Sequence, residues 1–309
     1  MQILLLGSAA GGGFPQWNCW CPCCLTARRD PSAAQPRTQS SAAVSADGRH
    51  WFLLNASPDV GGQLRWLWSG DIPSTVRHVP IEGVILTDAE LDHTLGVLLL
   101  RQARHLPIYA TAAVRSILER DSCVLPTTRA FSEVPVTELV LDAHVPLLYR
   151  DGVPSGLSVE ALVVPAGPPR FARGDQPGHT VGLILRDAAT GSVCAFVPGC
   201  GDLDVPLLAR LAEADALLFD GTFWSDDELI VAGIGERTAR QMGHLPISGA
   251  GGSLVQLATL SCRYKIYTHI NNTNPILLEY SPERASVIRT GAQVGVDGLH
   301  LTLSREPVP

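Results

Sequence analysis

The residues best suited to do chemistry lie between a short apolar segment and the start of a helix. Residues 83–86 (Gly-Val-Ile-Leu) predict a buried strand, and a helical pattern begins at Asp92. Within six positions the chain presents Asp88, Glu90, Asp92 and His93, all potential metal ligands. A strand-to-helix junction is a usual position for sites in layered α/β folds. The same acids could instead only cap the helix, since Asp is a favoured N-cap residue.

Further candidate ligands follow later strands. Asp220 and His269 each come at the end of an apolar segment, where a side chain reaches the edge of a sheet. His179 and His244 lie in loop-like segments, and their participation is left open. A centre rich in carboxylates and poor in imidazoles favours iron, manganese or magnesium over zinc. We expect His93 and His269 as the imidazole ligands and Asp92 as the carboxylate, with Asp88, Glu90 and Asp220 ligating, orienting ligands or moving protons.

A second group of potential ligands is a cysteine-rich loop at residues 19–24. Cys19, Cys21 and Cys24 form a C-x-C-x-x-C set. Thiolates this close in sequence can share one tetrahedral ion, and three sulfurs indicate structural zinc. The alternative, a reduced loop without metal, would leave the thiols open to oxidation. The remaining scattered cysteines are predicted to be buried packing residues; they are Cys123, Cys194, Cys200 and Cys262.

Composition limits the class of protein. A hydrophobic fraction of 46% with 17% charged residues is typical of a globular chain, and 309 residues can bury a sizeable core. The net charge of −7, without a basic block, argues against nucleic acid as the main partner. No apolar run approaches the ~20 residues of a membrane helix, and residues 1–7 lack the features of a signal peptide. We therefore expect a cytoplasmic protein.

These groups must be positioned by alternating strands and helices. Strand-like segments lie at 2–6, 51–55, 83–86, 157–164, 181–185, 192–197, 216–219, 264–268 and 299–303. Helix-like segments lie at 92–104, 111–120, 205–214 and 248–260. Asp47-Gly48 between two apolar runs indicates a hairpin turn. The mixture fits an α/β or α+β chain in which two sheets pack face to face with helices outside, and no linker divides it.

The order of these motifs resembles the metallo-β-lactamase superfamily, in which the strand-to-helix loop is typically His-x-His-x-Asp-His. Here Asp88 and Glu90 take the two leading histidine positions. Within the superfamily, three segments are similar to the pyrroloquinoline quinone (PQQ) biosynthesis family: GGGFPQWNC at 11–19, TDAELDH at 87–93 and THINNTNPIL at 268–277. The resemblance covers nearly the whole chain. It implies a metallo-β-lactamase-like α/β/β/α four-layer sandwich, with one domain over residues 1–309.

The resemblance also implies an activity and its partners. The chain would hydroxylate the tyrosine-derived ring of a crosslinked Glu-Tyr precursor, as a non-haem Fe(II)-dependent oxygenase, and it could form a homodimer. An Fe(II) site of histidines and carboxylate with open positions is compatible with that chemistry. Aromatic side chains beside the motif loops could wall the substrate pocket; they are Phe14, Trp17, Trp20, Phe223 and Trp224.

Two departures from related branches leave other functions open. In the phosphodiesterase branch, which shares the cysteine loop, a second histidine completes the zinc site where this chain has Asn272. That branch also has a metal-bridging aspartate where this chain has Gly199, so a two-metal hydrolase is less favoured. One alternative is still a metal-dependent hydrolase. The other is a carrier that binds PQQ or its precursor and assists transport to the periplasm.

Overall fold

Two seven-stranded mixed sheets pack face to face, with helices on their outer surfaces. The computed structural model describes residues 1–68, 70 and 76–304. The first sheet has the strand order β14-β1-β2-β3-β4-β5-β6, and the second has β13-β12-β11-β10-β9-β8-β7. The strands are β1 Gln2–Gly7, β2 Ser41–Ser45, β3 Trp51–Leu54, β4 Ile81–Ile85, β5 Ile108–Ala110, β6 Val136–Glu138, β7 Val145–Leu148, β8 Pro154–Val163, β9 Val181–Asp187, β10 Val193–Val197, β11 Ala216–Asp220, β12 Tyr264–Thr268, β13 Gln293–Val294 and β14 Leu299–Thr302. This is the α/β/β/α architecture that the resemblance to the metallo-β-lactamase superfamily implied.

The α-helices fall into two outer layers. They are α1 Pro22–Arg29, α2 Val60–Gln63, α3 Leu91–Leu99, α4 Ala112–Arg120, α5 Val124–Arg129, α6 Val205–Leu211, α7 Glu228–Val231, α8 Ser253–Leu257 and α9 Pro282–Arg289. Single 3₁₀ turns occupy Leu64–Leu67, Arg240–Met242 and Pro275–Leu277. Helices α3, α4 and α5 contribute to the core outside the first sheet, and α1, α6, α8 and α9 to the core outside the second. None of the helices in the described part of the chain has the length and apolar character to cross a membrane.

The strands carry apolar side chains on both faces because both faces of each sheet are covered. In β1, Ile3 and Leu5 point into the core between the sheets, whereas Leu4 and Leu6 pack against the outer helices. Alternate residues of a strand face opposite sides, so one continuous apolar run can serve two cores. The near-continuous apolar strands of the sequence therefore required the layered arrangement.

The ends of several strands converge at one edge of the sandwich. In the first sheet β3, β4 and β5 are parallel, and in the second β10, β11, β12 and β13 are parallel. Single bridges join the segments that follow: Asp88 pairs with Thr180, and Ala9 pairs with Ile270. The carboxyl ends of β4, β11 and β12 thus open onto a shared edge, the position expected for a site in a sheet of this kind.

Two local expectations need correction. The cysteine-rich segment is only partly a loop, because α1 begins at Pro22 and places Cys23 and Cys24 in its first turn. Cys123 was expected in the core but is exposed, and it precedes α5 in a left-handed conformation (φ 55°). The other three scattered cysteines are buried as predicted. One domain over residues 1–309 stays a prediction, and positions 69, 71–75 and 305–309 lie outside the described residues.

The packing of α3 generates a stability prediction at Gly96. A β-carbon at this position would lie 2.4 Å from the Ser57 carbonyl oxygen and 2.6 Å from the Ala56 carbonyl carbon. Because both contacts are with backbone, Gly96→Ala must displace α3, and we expect it to lower the unfolding free energy by about 1–3 kcal/mol. Denaturant unfolding measures this difference.

Gly61 provides the matched control. It is also helical, in α2, and a β-carbon there meets no atom within 4 Å. Gly61→Ala should be neutral or stabilising by up to about 1 kcal/mol. Equal stability of the two variants would contradict the close approach of α3 to residues 56–57.

Candidate functional site

The first part of the site is a buried carboxylate–histidine pair between β4 and α3. Asp88 follows β4, and His93 lies in the first turn of α3, so the strand-to-helix junction brings them together. Nδ1 of His93 lies 2.9 and 2.8 Å from the two Asp88 carboxylate oxygens. The Thr87 hydroxyl and the Glu90 amide also donate to that carboxylate, at 2.7 and 2.9 Å. Asp88 therefore fixes the ring and directs Nε2 of His93 away from itself.

That Nε2 atom is buried and has no hydrogen-bond partner among the described residues. Asp92 Oδ2 lies 3.9 Å from it. Buried polar atoms are normally paired, so an unpartnered imidazole nitrogen indicates a position for a ligand or metal ion. Burial lowers the pKa of His93, but the nearby Asp88 and Asp92 carboxylates outweigh that effect and raise it to about 9. The same His93 charge is the main influence that lowers the pKa of Asp88 against its burial.

The second imidazole of the site is His269, immediately after β12. Its Nε2 lies 3.2 Å from Asp92 Oδ2, and its Nδ1 lies 2.8 Å from the Thr222 hydroxyl. His269 adopts a left-handed conformation (φ 54°), which turns the chain out of the strand into the site. The rings of His93 and His269 are 5.0 Å apart. The sequence-predicted trio of Asp92, His93 and His269 therefore presents one ligand atom each within 4.8 Å of one another.

His244 joins this cluster from the other side. Its Nδ1 lies 2.7 Å from Asp220 Oδ2, and its ring stacks on that of His269 at 5.5 Å. Asp220 is fully buried and also accepts from the Cys200 amide and from the Thr222 hydroxyl, at 2.9 and 2.6 Å. The charge of Asp220 raises the pKa of His244, although burial opposes the rise. A second potential ligand group thus consists of Asp220, His244 and His269.

The clustered side chains form the floor of an open cavity of about 690 Å³. Of the aromatic residues expected around it, only Phe223 lines the cavity. Phe14 is buried in the core, Trp224 packs against it, and Trp17 and Trp20 are 82% and 69% exposed. The prediction of an aromatic pocket is therefore wrong for four of the five residues. They flank the motifs in sequence, but their side chains do not line the cavity that the motif residues form.

Three further residues singled out in the sequence differ in their position relative to the cavity. Glu90 is exposed at the mouth of the cavity, where partial burial and the charges of Asp88 and Asp92 raise its pKa to about 7. Gly199 lines the cavity, and a β-carbon there would lie 3.9 Å from Cε1 of His244. His179 does not line it within the described part of the chain; its Nε2 pairs with Asp175 at 2.9 Å.

The cysteine cluster is a separate site against the segment that follows His269. The sulfurs of Cys19, Cys21 and Cys24 lie within 4.8 Å of one another, whereas the Cys23 thiol donates to the Thr273 carbonyl at 3.5 Å. Hydrogen bonds, the largest of them with Cys23, lower the pKa of the Cys21 thiol to about 5 against its burial, whereas burial raises the pKa of the Cys24 thiol to about 12. The set therefore has the composition of a thiolate site, with Cys23 outside it.

Asn272 is buried beside these sulfurs. Its side-chain nitrogen lies 3.4 Å from the Cys24 sulfur and 3.8 Å from that of Cys21, whereas its backbone carbonyl oxygen accepts from the Cys21 thiol at 3.5 Å. The two ends of an asparagine amide are interchangeable by a flip of the group. An amide oxygen can therefore occupy the position where the phosphodiesterase branch has a histidine.

Comparison with known proteins identifies the family. A family model described as a beta-lactamase superfamily domain matches residues 50–270. Coenzyme PQQ synthesis protein B from Gluconacetobacter diazotrophicus is 42% identical over 314 residues, covering 98% of this chain and 99% of that protein. The crystal structure of Zn(2+)-bound PqqB from Methylobacterium extorquens has a TM-score of 0.88 at 39% identity, covering 98% of this chain and 100% of that one. This chain belongs to the PqqB family.

Membership of the PqqB family supports a role in PQQ synthesis and confirms the resemblance found in the sequence. A diphosphatase of the PhnP family has a TM-score of 0.67 at 18% identity, covering 98% of each chain. That similarity shows a shared fold alone. PqqB chains and this diphosphatase thus share an architecture, and the chemistry must be argued from the side chains.

The Asp88–His93 pair predicts a pH-dependent stability in the metal-free chain. His93 has a pKa raised from 6.5 to about 9, so the pair stabilises the fold fully below pH 6.5 and loses that contribution as pH rises through about 9. Asp88→Asn should lower the pKa of His93 and destabilise the protein most below pH 6.5. Nuclear magnetic resonance titration of the imidazole and unfolding at several pH values measure both effects. An unchanged His93 titration in Asp88→Asn would contradict the pairing.

Proposed function

We propose that this chain is a metal-dependent oxygenase of PQQ synthesis that hydroxylates the tyrosine-derived ring of a crosslinked Glu-Tyr precursor. The observation that carries the proposal is the trio of Asp92, His93 and His269, with the unpartnered Nε2 of His93. Two imidazoles and one carboxylate with open positions are the ligand set of non-haem Fe(II) oxygenases. The family relationship supports the pathway, and the ligand set supports the reaction class.

The residues fit a bound metal ion. His93 and His269 each have Nδ1 engaged by a neighbour, which leaves Nε2 to face Asp92 Oδ2. This is the usual arrangement of a metal-binding histidine, whose second nitrogen is held by a carboxylate or hydroxyl group. Fe(II) bound there would supply the capacity to react with oxygen, which zinc lacks.

The protein's own groups then have distinct roles. Asp88 holds the His93 ring, and Thr222 holds that of His269 while donating to Asp220. Glu90, with a pKa of about 7, can accept or release a proton at its carboxylate beside the tyrosine-derived ring of a bound substrate. The open mouth gives a substrate access to the cavity, which is lined by His93 and His269 although both side chains are largely buried.

We propose a structural zinc ion for the cysteine cluster. Cys19, Cys21 and Cys24 would supply three thiolates, and Asn272 is the candidate fourth ligand through its amide oxygen. The zinc-bound state of the Methylobacterium extorquens relative supports zinc in this family without assigning it to either cluster. Sulfur-rich closed sites select zinc and stabilise folding.

One observation bears on the hydrolase alternative. Gly199 occupies the wall beside His244 and has no side chain that could bridge two ions. A hydrolytic centre would then rely on a single metal-bound hydroxide. Oxygen consumption separates the two reactions, because hydrolysis of an ester or amide consumes none. Stoichiometric binding of PQQ without turnover would instead support a carrier.

The site generates a direct activity prediction. With Fe(II) loaded anaerobically and the Glu-Tyr precursor as substrate, we expect wild-type protein to consume oxygen. His93→Ala and His269→Ala should each lower that rate by more than about 100-fold, since even residues that only orient metal ligands contribute 10–100-fold. An oxygen electrode and product mass measurement follow the reaction.

His105→Ala is the control for the activity prediction, because His105 pairs with Glu133 at 3.2 Å and does not line the cavity. It should keep the wild-type rate. Oxygen-dependent turnover that persists in both His93→Ala and His269→Ala would remove these residues from the mechanism.

The cysteine cluster generates a prediction on folding. Cys19→Ser or Cys21→Ser should reduce zinc content and lower thermal stability by several kcal/mol, given contributions on the order of 10 kcal/mol in small zinc domains. Cys123→Ser, at an exposed position, should change neither quantity, and Cys23→Ser should retain zinc. Metal analysis and thermal unfolding provide the readouts. A stable, zinc-free Cys21→Ser protein would show that the cluster needs no ion.

A further inference from the structure

The cavity has two chemically different regions. Its floor carries the histidines and carboxylates described above. Its outer wall carries three arginines, Arg170, Arg237 and Arg240, which we call the arginine rim. All three side chains are exposed, so the charges sit at the entrance and not in the interior. The rim contributes three positive charges to the mouth of a site on a chain whose net charge is −7.

The rim arginines are not used in ion pairs within the described residues. Arg237 donates to the Gln241 carbonyl, and Arg240 donates to the Gly251 carbonyl at 3.3 Å; both acceptors are neutral. Other arginines on the surface pair closely with carboxylates, as Arg210 does with Glu160 at 2.7 Å and Arg129 with Glu119 at 2.7 Å. The rim guanidinium groups therefore retain most of their donors for a bound molecule.

Two loops from different parts of the chain form this wall. Residues 165–170 follow β8 and residues 237–243 precede His244. A third segment lies between them: the Gly201 amide donates to the Pro165 carbonyl at 2.5 Å, and a β-carbon at Gly201 would lie 3.4 Å from the Gly243 carbonyl. The two loops meet directly where a β-carbon at Gly243 would lie 3.7 Å from that of Ala166. Gly243 has a left-handed conformation (φ 83°) that makes the approach possible.

The backbone of the second loop is itself fixed. The Arg240 amide donates to Asp226 Oδ1 at 3.0 Å, and the Thr238 amide donates to Gln241 Oε1 at 3.0 Å. These hydrogen bonds hold the backbone at Arg240 in place. Only the ends of the arginine side chains therefore have to adjust when a molecule binds. Asp202 is the acidic residue beside this wall, and its Oδ1 accepts from the Leu203 amide.

We propose that the arginine rim recognises the carboxylates of the substrate and orients its aromatic end toward Asp92, His93 and His269. The planar guanidinium group binds carboxylate through two parallel hydrogen bonds, which fixes orientation as well as charge. This inference rests on the proposed function for the reacting end. A glutamate and a tyrosine joined through their side chains carry three carboxylates, as many as the rim has arginines. The rim residues are specificity-determining and take no part in the ring chemistry.

Binding measurements test the rim separately from the reaction. Zinc-loaded protein, which does not react with oxygen, is titrated with PQQ, a tricarboxylate, and with PQQ trimethyl ester, its neutral counterpart. We expect PQQ to bind at least 10-fold more tightly than the ester. The triple variant Arg170→Gln/Arg237→Gln/Arg240→Gln should remove most of that preference, while each single variant weakens PQQ binding several-fold. Lysine at the same three positions should restore part of the affinity.

Arg173→Gln is the matched control, because Arg173 is an exposed arginine near Arg170 that does not line the cavity. It should bind PQQ as wild type does. Thermal unfolding of every variant checks that the exposed substitutions leave the fold intact. With Fe(II) and the precursor, the triple variant should raise KM by more than 10-fold and change kcat by less than 3-fold.

The outcomes distinguish the two proposals. Unchanged PQQ affinity and KM in the triple variant would contradict carboxylate recognition by the arginine rim. The proposed oxygenase activity would not be affected by that result. Rim-dependent PQQ binding without oxygen uptake in wild-type protein would overturn the oxygenase and retain carboxylate recognition. If inorganic phosphate competes with PQQ more strongly than benzene-1,3,5-tricarboxylate does, and through the same arginines, the rim is a phosphate site and the carboxylate assignment is wrong.

Discussion

The organisation of this site depends on the need to pair two carboxylates that are buried at strand ends. Asp88 is 3% exposed and Asp220 is 0% exposed. A buried charge is tolerated only when hydrogen bonds and an opposite charge replace its hydration. Each carboxylate accepts hydrogen bonds from backbone amide and threonine hydroxyl groups and is paired with one imidazole nitrogen. The pairing fixes the orientation of His93 and His244, and the ligand positions follow from it.

The two carboxylate–histidine pairs come from different sheets and meet at the shared edge of the sandwich. The carboxylate of one pair, Asp88, follows β4 in the first sheet, and the carboxylate of the other, Asp220, is the last residue of β11 in the second. His269, at the end of β12, lies between the two rings, 5.0 Å from one and 5.5 Å from the other. The face-to-face packing that completes the apolar core therefore also brings the two halves of the candidate metal-binding group into contact.

The sequence allowed some of this arrangement to be predicted. Asp92, His93 and His269 could be found because each stands where a periodic segment begins or ends. The position of His244 could not, since it follows a single 3₁₀ turn and depends on the packing of Gly243 against another loop. Proximity in sequence also misled the interpretation of the aromatic residues. A side chain next to a motif can point away from it, and only the tertiary turn decides its direction.

The asparagine-rich segment after β12 connects two sites that are otherwise separate. It begins at His269, is anchored where Asn274 donates to the Gly221 carbonyl at 2.9 Å, and places Asn272 against the cysteine sulfurs. Only two residues lie between His269, the imidazole of one cluster, and Asn272, the amide beside the other. By thermodynamic reciprocity, an ion held at the sulfurs that orders this segment also favours the bound geometry of His269, and the reverse holds equally. Occupancy of the sulfur cluster and the conformation of His269 would then be linked through this one short segment.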